Sequence, residues 1–231
     1  MNRVEFRKRI LAENDAAAAE LRARFRAGRT LVVDVVSSPG SGKTTLLEAT
    51  ARRMGDRHRL AAIVGDIATE LDAERLRDAG LDAHQIVTGG ACHLDARLVT
   101  AAVDETHLLP ADLLFIENVG NLVCPASYAL GEDFKVVLLS VTEGADKPFK
   151  YPAIFARSAV TVITKTDLLP YVSFDLGRAR NQILSLNPAA RIVETSATTG
   201  RGMEEWCALL EERLSAKSLQ TTEAKRVAVS S

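Results

Sequence analysis

Apolar residues along this chain fall into short β-branched and leucine-rich runs, separated by stretches with helical spacing. Ahead of the first run, Val4, Ile10, Leu11, Ala18, Leu21 and Phe25 recur at loosely helical intervals as far as Gly28, which predicts one helix over 3–27 packed on the main body. From Thr30 onward LVVDVV, RLAAIV, LLFIE, KVVLLSV, VTVIT and RIVET read as strands. Helices are predicted between and after them near 44–54, 70–79, 94–106, 150–157, 174–186 and 202–216. Strands that are apolar throughout are buried on both faces, so this alternation predicts an α/β fold of three layers, a mostly parallel sheet with helices on both faces. After Leu214 the chain turns polar, and a flexible tail is expected over 217–231. The expected division is therefore 1–28 as an N-terminal helix, 29–216 as the main domain, and that tail.

Composition narrows the function classes. The 231 residues suit one large domain with appendages, and an apolar share of 47% with 26% charged residues can build a core without disulfides. Disorder, collagen and coiled coil are excluded on the same grounds. A net charge of -1 lacks the surplus that a nucleic-acid or anionic-membrane binder uses. Asp34, Glu117 and Lys135 cut the longest apolar runs well short of a membrane span. The N-terminus has no apolar stretch with a cleavage site, so a soluble, cytoplasmic protein is expected. Cys92, Cys124 and Cys207 are odd in number and widely spaced, which argues against a disulfide framework.

The first strand runs into Ser37-Ser38-Pro39-Gly40-Ser41-Gly42-Lys43-Thr44 and then a helical stretch, the context of a P-loop NTPase. Glycines at 40 and 42 let the backbone approach phosphates, and the helix N-terminus that follows favours negative charge. Lys43 would bridge the β and γ phosphates, and Thr44 offers its hydroxyl to Mg²⁺. Pro39, Gly40, Ser41, Gly42, Lys43, Thr44 and Thr45 are the expected phosphate-side residues. Ser37 replaces the pattern's first glycine, with an expected backbone cost of about 1 kcal/mol.

The base pocket decides which nucleotide is bound. Thr164-Lys165-Thr166-Asp167 follows strand VTVIT and is close to a guanine box, while Thr195-Ser196-Ala197 follows RIVET in the form of the loop that meets guanine O6. A carboxylate at Asp167 accepts from both N1-H and the N2 amine of guanine; with adenine it would stand unpaired, at about 1–3 kcal/mol or more. Thr164, Lys165, Asp167, Ser196 and Ala197 complete the expected nucleotide site. Thr164 stands where Asn is usual, so a side-chain amide that ties the pocket together is missing and weaker affinity is expected.

Two strands end in acids, Asp66 after RLAAIV and Glu117 after LLFIE, where ligands of an open parallel sheet collect. Both are candidates, with Thr44, for the Mg²⁺ site. Gly120 is placed to offer its N-H to the γ-phosphate, and Asp66 and Asp72 are candidates to position the attacking water. The expected catalytic set is Lys43, Asp66, Glu117 and Gly120. Cys92 and His93 sit at a loop-to-helix junction, and Cys124 follows Gly120 by four residues. Thiolate and imidazole suit Zn²⁺ and accept Ni²⁺. Adjacent residues in an extended strand face opposite ways, so a shared ion requires a helix start or a two-chain site, and by spacing alone a small buried thiol and a hydrogen-bonded histidine remain the other reading. Cys207 beside Trp206 is assigned to the core. If loop movement on hydrolysis shifts Cys124, metal affinity follows nucleotide state.

The segments ILAENDAAAAELR, SSPGSGKTTLLEAT, GDIATELDAERL, GACHLDARLV, ENVGNLVCPASYALGE, KVVLLSVTEGADKPFKYP, TKTDLLPYVSFDL and ETSATTGRGMEEW together resemble the hydrogenase-maturation nickel-incorporation GTPases, the HypB family, over nearly the whole chain. That resemblance implies a GTPase of slow turnover that dimerises on GTP. It implies delivery of Ni²⁺ to the large subunit of a nickel-iron hydrogenase beside a small zinc-containing partner, HypA. It also implies that Cys92, His93 and Cys124 bind Ni²⁺ or Zn²⁺ at the dimer interface, and that Lys147 or Lys150 meets nucleotide or partner chain. The cysteine-rich and histidine-rich nickel motifs of many relatives do not open this sequence, so nickel storage at that end is not expected. A urease-accessory GTPase, a small-molecule P-loop kinase and a non-hydrolysing metal scaffold are the alternatives.

Overall fold

A computed structural model describes residues 3–66 and 71–229, with side chains over 4–66 and 71–219. Seven strands, β1 (Leu31–Ser37), β2 (Leu60–Asp66), β3 (Asp82–Val87), β4 (Leu113–Glu117), β5 (Phe134–Ser140), β6 (Val160–Thr164) and β7 (Arg191–Glu194), form one sheet in the order β3-β2-β4-β1-β5-β6-β7. Every pairing is parallel. The two central strands β1 and β5 are buried along their whole length, as their largely apolar runs require, with Asp34 and Lys135 the charged exceptions. β3 has no such run: Asp82, His84 and Gln85 interrupt it, and as an edge strand with β2 as its one neighbour it stays half open, which is why the hydropathy pattern missed it.

Alternation along β1 sends Leu31, Val33 and Val35 to one face, where they pack with Leu46 and Leu47 of α2 (Lys43–Met54), Leu76 of α3 (Leu71–Asp78) and Trp206, Leu209 and Leu210 of the last helix. On the opposite face, Val32, Ile63 and Ile116 meet Ala18, Leu21 and Phe25 of α1 (Arg3–Ala27) and Val99 and Val103 of α4 (Ala96–Glu105). The rest of that face is covered by α6 (Pro152–Arg157) and α7 (Leu176–Leu186) through Phe155 and Ile183. The three layers match the expectation. The helix predicted at 150–157 is broken, with α5 (Lys147–Lys150) separated from α6 because Pro152 supplies no N-H to continue the first turn.

Helix α8 runs Met203–Val229, through the position at 217 where a tail was expected to begin. The run SAKSLQTTEAKR is polar but rich in helix formers, and polarity alone does not end a helix. Lys217 is buried and binds Asp133 at 2.5 Å, which ties this part of the helix to the sheet. No helix among the described residues is long and apolar enough to cross a membrane.

Candidate nucleotide and metal site

The phosphate loop leaves the C-terminal end of β1 at the middle of the sheet, where neighbouring connections diverge and open a crevice. Gly40 and Gly42 both take left-handed backbone angles, φ 72° and 94°, and α2 starts at Lys43 with no side chain capping its first amides. Uncapped amides at a helix start, reached through two left-handed glycines, form a cradle for an anion. The strain expected at Ser37 is absent: this residue closes β1 in extended backbone and is not among the positive-φ residues. Its hydroxyl accepts from Lys43 Nζ at 3.3 Å and donates to the Ser38 carbonyl at 2.6 Å.

Beside the loop lies a cavity of about 290 Å³ lined by Gly42, Thr45, Thr164, Lys165, Asp167 and Ala197 among others. Asp167 reaches it because Lys165 turns the chain through a left-handed φ of 59° into a 3-10 turn over Thr166–Tyr171. Lys165 Nζ donates to the Gly40 carbonyl at 2.7 Å, which lays its stem across the phosphate loop. The amide missing at Thr164 has a substitute: the Thr164 hydroxyl donates to the Ser41 carbonyl at 2.7 Å and ties base pocket to phosphate loop. The loss of affinity expected from this replacement therefore has no structural basis in a missing tie. Ser196 is fully buried, its N-H is bound by the Arg201 carbonyl at 2.9 Å, and it does not line the cavity; from that loop Thr195, Ala197 and Thr198 do.

At the phosphate end Thr44 Oγ1 donates to Glu117 Oε1 at 2.9 Å, and Lys43 Nζ stands 4.0 Å from the same oxygen. Glu117 Oε2 is buried without a hydrogen-bond partner. Burial pushes the Glu117 carboxyl up to about 7, against the opposing pull of Lys43 and of the Thr44 hydroxyl. A buried carboxylate oxygen with nothing to bind, next to a threonine hydroxyl, fits a hard divalent cation. Asp66 ends β2 on the same face: Val64 registers with Glu117, and Asp66 lies two residues further on. The segment 67–70 that follows it lies outside the described residues. Asp72 binds Arg75 at 3.3 Å on α3, and Arg75 also reaches Glu48 and Thr45 of α2.

Gly120 packs directly on the phosphate loop. A Cβ there would stand 3.0 Å from Pro39 Cα, N and Cγ, so only glycine fits without displacing the loop. Four residues on, Cys124 Sγ lies 3.1 Å from Cys92 Sγ, and Cys92 Sγ lies 3.5 Å from His93 Nδ1. Donor atoms of all three residues fall within 4.8 Å of one another. They meet inside one chain because the segment is not a strand: Gly89 and Gly90 turn it with φ of 60° and 102°, and Cys92 and His93 lie in a bend before Asp95 caps α4. Burial lowers the His93 pKa despite Asp95, which keeps the ring neutral and able to ligate. The hydrogen bond to Cys92 is the largest of the effects raising the Cys124 thiol. Two soft sulfurs and an imidazole suit a borderline metal such as Ni²⁺ or Zn²⁺, with a coordination position left for a further ligand.

Residues 31–194, more than half of the chain, match the family described as CobW/HypB/UreG, nucleotide-binding domain. Hydrogenase maturation factor HypB of Azotobacter chroococcum is 47% identical over 96% of this chain and 73% of its own length. Its namesake in Escherichia coli K12 is 49% identical over 87% and 70%. The chain belongs to the HypB family. Solved HypB structures agree. That of Archaeoglobus fulgidus superposes with a TM-score of 0.82 at 40% identity over 88% of this chain and 99% of that one. That of Helicobacter pylori in complex with nickel gives 0.83 at 41%, over 88% and 96%.

In this HypB-family chain some contacts of the site were not legible in the sequence. Glu143 accepts from Ser41 Oγ at 2.5 Å, and Lys147 binds both Glu143 at 2.7 Å and Ser38 Oγ at 2.5 Å, a clasp on the phosphate loop. Lys150 pairs instead with Asp146 at the exposed start of α5. Cys207 is buried among core residues, as expected. Each lysine stands four residues after an acid, so spacing does not separate Lys147 from Lys150; only the packing of Glu143 on Ser41 puts Lys147 on the phosphate loop.

Proposed function

We propose that this chain hydrolyses GTP to GDP and phosphate, and that its nucleotide state governs Ni²⁺ held by Cys92, His93 and Cys124 for delivery during hydrogenase maturation. The observation that carries this reading is one continuous segment. It begins at Glu117 against Thr44, crosses Gly120 against Pro39, and ends at Cys124 against Cys92. A displacement at the phosphate end is felt at the sulfur end, because packed segments rearrange as units.

Within this reading Asp167 and Ala197 select guanine, Thr164 and Lys165 hold pocket and phosphate loop together, and Pro39 to Thr45 with Lys43 bind the phosphates. Thr44 and Glu117, with Asp66 beyond them, hold Mg²⁺, whose charge offsets the one building on the phosphoryl oxygens. Asp66 also orients the attacking water, and the Gly120 N-H meets the γ-phosphate. Ni²⁺ is cargo here. The relatives' names place them in hydrogenase maturation, and the H. pylori solved structure is a nickel complex. GTP-dependent pairing of two chains, a HypA-type nickel and zinc protein and a hydrogenase large subunit are the partners this reading implies.

The purified chain is expected to release labelled phosphate from GTP to water and to prefer GTP over ATP. Cys92→Ser and Cys124→Ser are each expected to weaken Ni²⁺ binding by more than about tenfold in equilibrium titration. Label appearing on any acceptor other than water, or unchanged nickel affinity in both variants, contradicts the proposal.

A further inference from the structure

A buried path of hydrogen bonds runs from Asn118, next to Glu117, to the Leu94 backbone and the Tyr128 ring on either side of His93, without passing through Cys124. Asn118 follows Glu117 and is 1% exposed. Its side-chain oxygen accepts from the Leu94 N-H at 3.1 Å and from the Val119 N-H at 3.0 Å, and its amide nitrogen donates to Asp34 Oδ1 at 3.2 Å. Three bonds leave this amide one orientation. Asp34, fully buried, is bound by Lys135, which also pairs with Glu132 at 2.9 Å and donates to the Tyr128 carbonyl at 2.9 Å. The Tyr128 ring lies against the His93 ring, centroids 4.1 Å apart. His93 is thus held on two sides, by the backbone of Leu94 and by the ring of Tyr128, and both holds lead to the Asp34–Lys135 pair.

Leu94 reaches the other acid-bearing strand as well. Its side chain occupies the space that Gly65 leaves open, since a Cβ on Gly65 would lie 2.8 Å from Leu94 Cγ. Gly65 immediately precedes Asp66. One residue next to His93 therefore touches the ends of both β2 and β4.

We propose that Asn118 is a positioning residue that passes nucleotide state from Glu117 to His93 through the Leu94 amide, and so sets metal affinity from the His93 side. The inference rests on the functional reading above, in which nucleotide state alters metal affinity. A buried amide bonded in three directions cannot follow a shift of residues 117 and 118 by stretching; either Leu94 moves with it or the bond breaks and leaves a buried N-H unpaired. The first outcome repositions the imidazole relative to the two sulfurs, and the second frees the backbone next to it.

Ni²⁺ affinity is measured on the full chain loaded with GDP or with a non-hydrolysable GTP analogue. Melting temperature and GDP affinity check the fold of each variant. In the wild type the two affinities are expected to differ by about 5–150-fold. Asn118→Ala brings that ratio to within about twofold of one, and the exchanged pair Asp34→Asn with Asn118→Asp, which keeps an amide–carboxylate bond and an acceptor for Leu94, restores it. Amide hydrogen exchange on the wild type gives a reading that needs no variant: Leu94 protection changes about tenfold between the two nucleotide states. Equal wild-type nickel affinities overturn the functional reading, and the relay with it. An unequal wild type combined with an unchanged ratio in Asn118→Ala, an exchanged pair that folds but restores nothing, or identical Leu94 protection in both states overturns the relay alone.

Discussion

Asp167→Asn is expected to lower GTP affinity by about 10²–10³-fold and to admit xanthosine triphosphate in its place. In the proposed reading the carboxylate would accept from N1-H and the N2 amine, two charge-assisted bonds in the cavity lined by Lys165 and Ala197. Losing the charge from one bond and setting two donors against each other at the other comes to about 3–4 kcal/mol, with each 1.4 kcal/mol a factor of ten. Asparagine keeps an acceptor for N1-H but turns an N-H toward the amine. Xanthine carries a carbonyl at that carbon, so the new donor finds an acceptor. The pocket's shape is held by Thr164 on Ser41 and Lys165 on Gly40, which the substitution leaves alone. Equilibrium binding of both nucleotides checks this; a variant that loses GTP and xanthosine triphosphate alike, or neither, refutes the assignment of Asp167 to the base.

Glu117→Gln has opposite effects on the empty and the loaded protein. In the empty protein the Glu117 carboxyl is raised from 4.5 to about 7, chiefly by burial. A folded-state pKa above the unfolded one means that the neutral form stabilises the fold. That contribution is complete below about 4.5 and is lost as pH rises through about 7, a change of order 3 kcal/mol. Glutamine never titrates, so the nucleotide-free variant should unfold several degrees higher than the wild type at pH 8 and close to it at pH 5. Loading reverses the order, because the amide cannot supply the negative oxygen that a divalent cation requires, and Mg²⁺-dependent GTP affinity falls by more than about tenfold. Thermal unfolding across pH, with and without Mg²⁺ and nucleotide, reads both signs. A nucleotide-free variant less stable than the wild type at pH 8 would show that the buried charge is not the source of strain.

The nucleotide half of this site could be read from the chain because its chemistry is local: a strand, two glycines, Lys43 and Thr44 are contiguous, and Asp167 and Ala197 each follow a strand end. The metal half is different. Cys92 and Cys124 are 32 residues apart in sequence, and no spacing rule brings their sulfurs together; the Gly89-Gly90 turn and the contact of Gly120 with Pro39 do so, through tertiary packing. Residue chemistry marks these three side chains as candidates, the resemblance implies that they share an ion, and their donor atoms within 4.8 Å of one another support that reading. Asp34 and Lys135 looked in the sequence like interruptions of apolar runs, whereas they are registered neighbours on β1 and β5 that neutralise each other under the metal loop. β3 was invisible because an edge strand has one partner and keeps polar residues. The length of α8 is not legible because its last part carries no hydrophobic stripe to mark it; beyond the buried Trp206, Leu209 and Leu210, Lys217 binds Asp133 next to the start of β5.

The central claim is that phosphate chemistry at Glu117 and Gly120 is felt by the ligands at Cys92, His93 and Cys124. Its most direct test is the dissociation constant for Ni²⁺ of one protein preparation, measured in parallel with GDP and with a non-hydrolysable GTP analogue in the presence of Mg²⁺. The account predicts that the two constants differ by about fivefold or more, and that the difference narrows in Cys124→Ser, which leaves the His93 side in place. Equal constants in the wild type would contradict it.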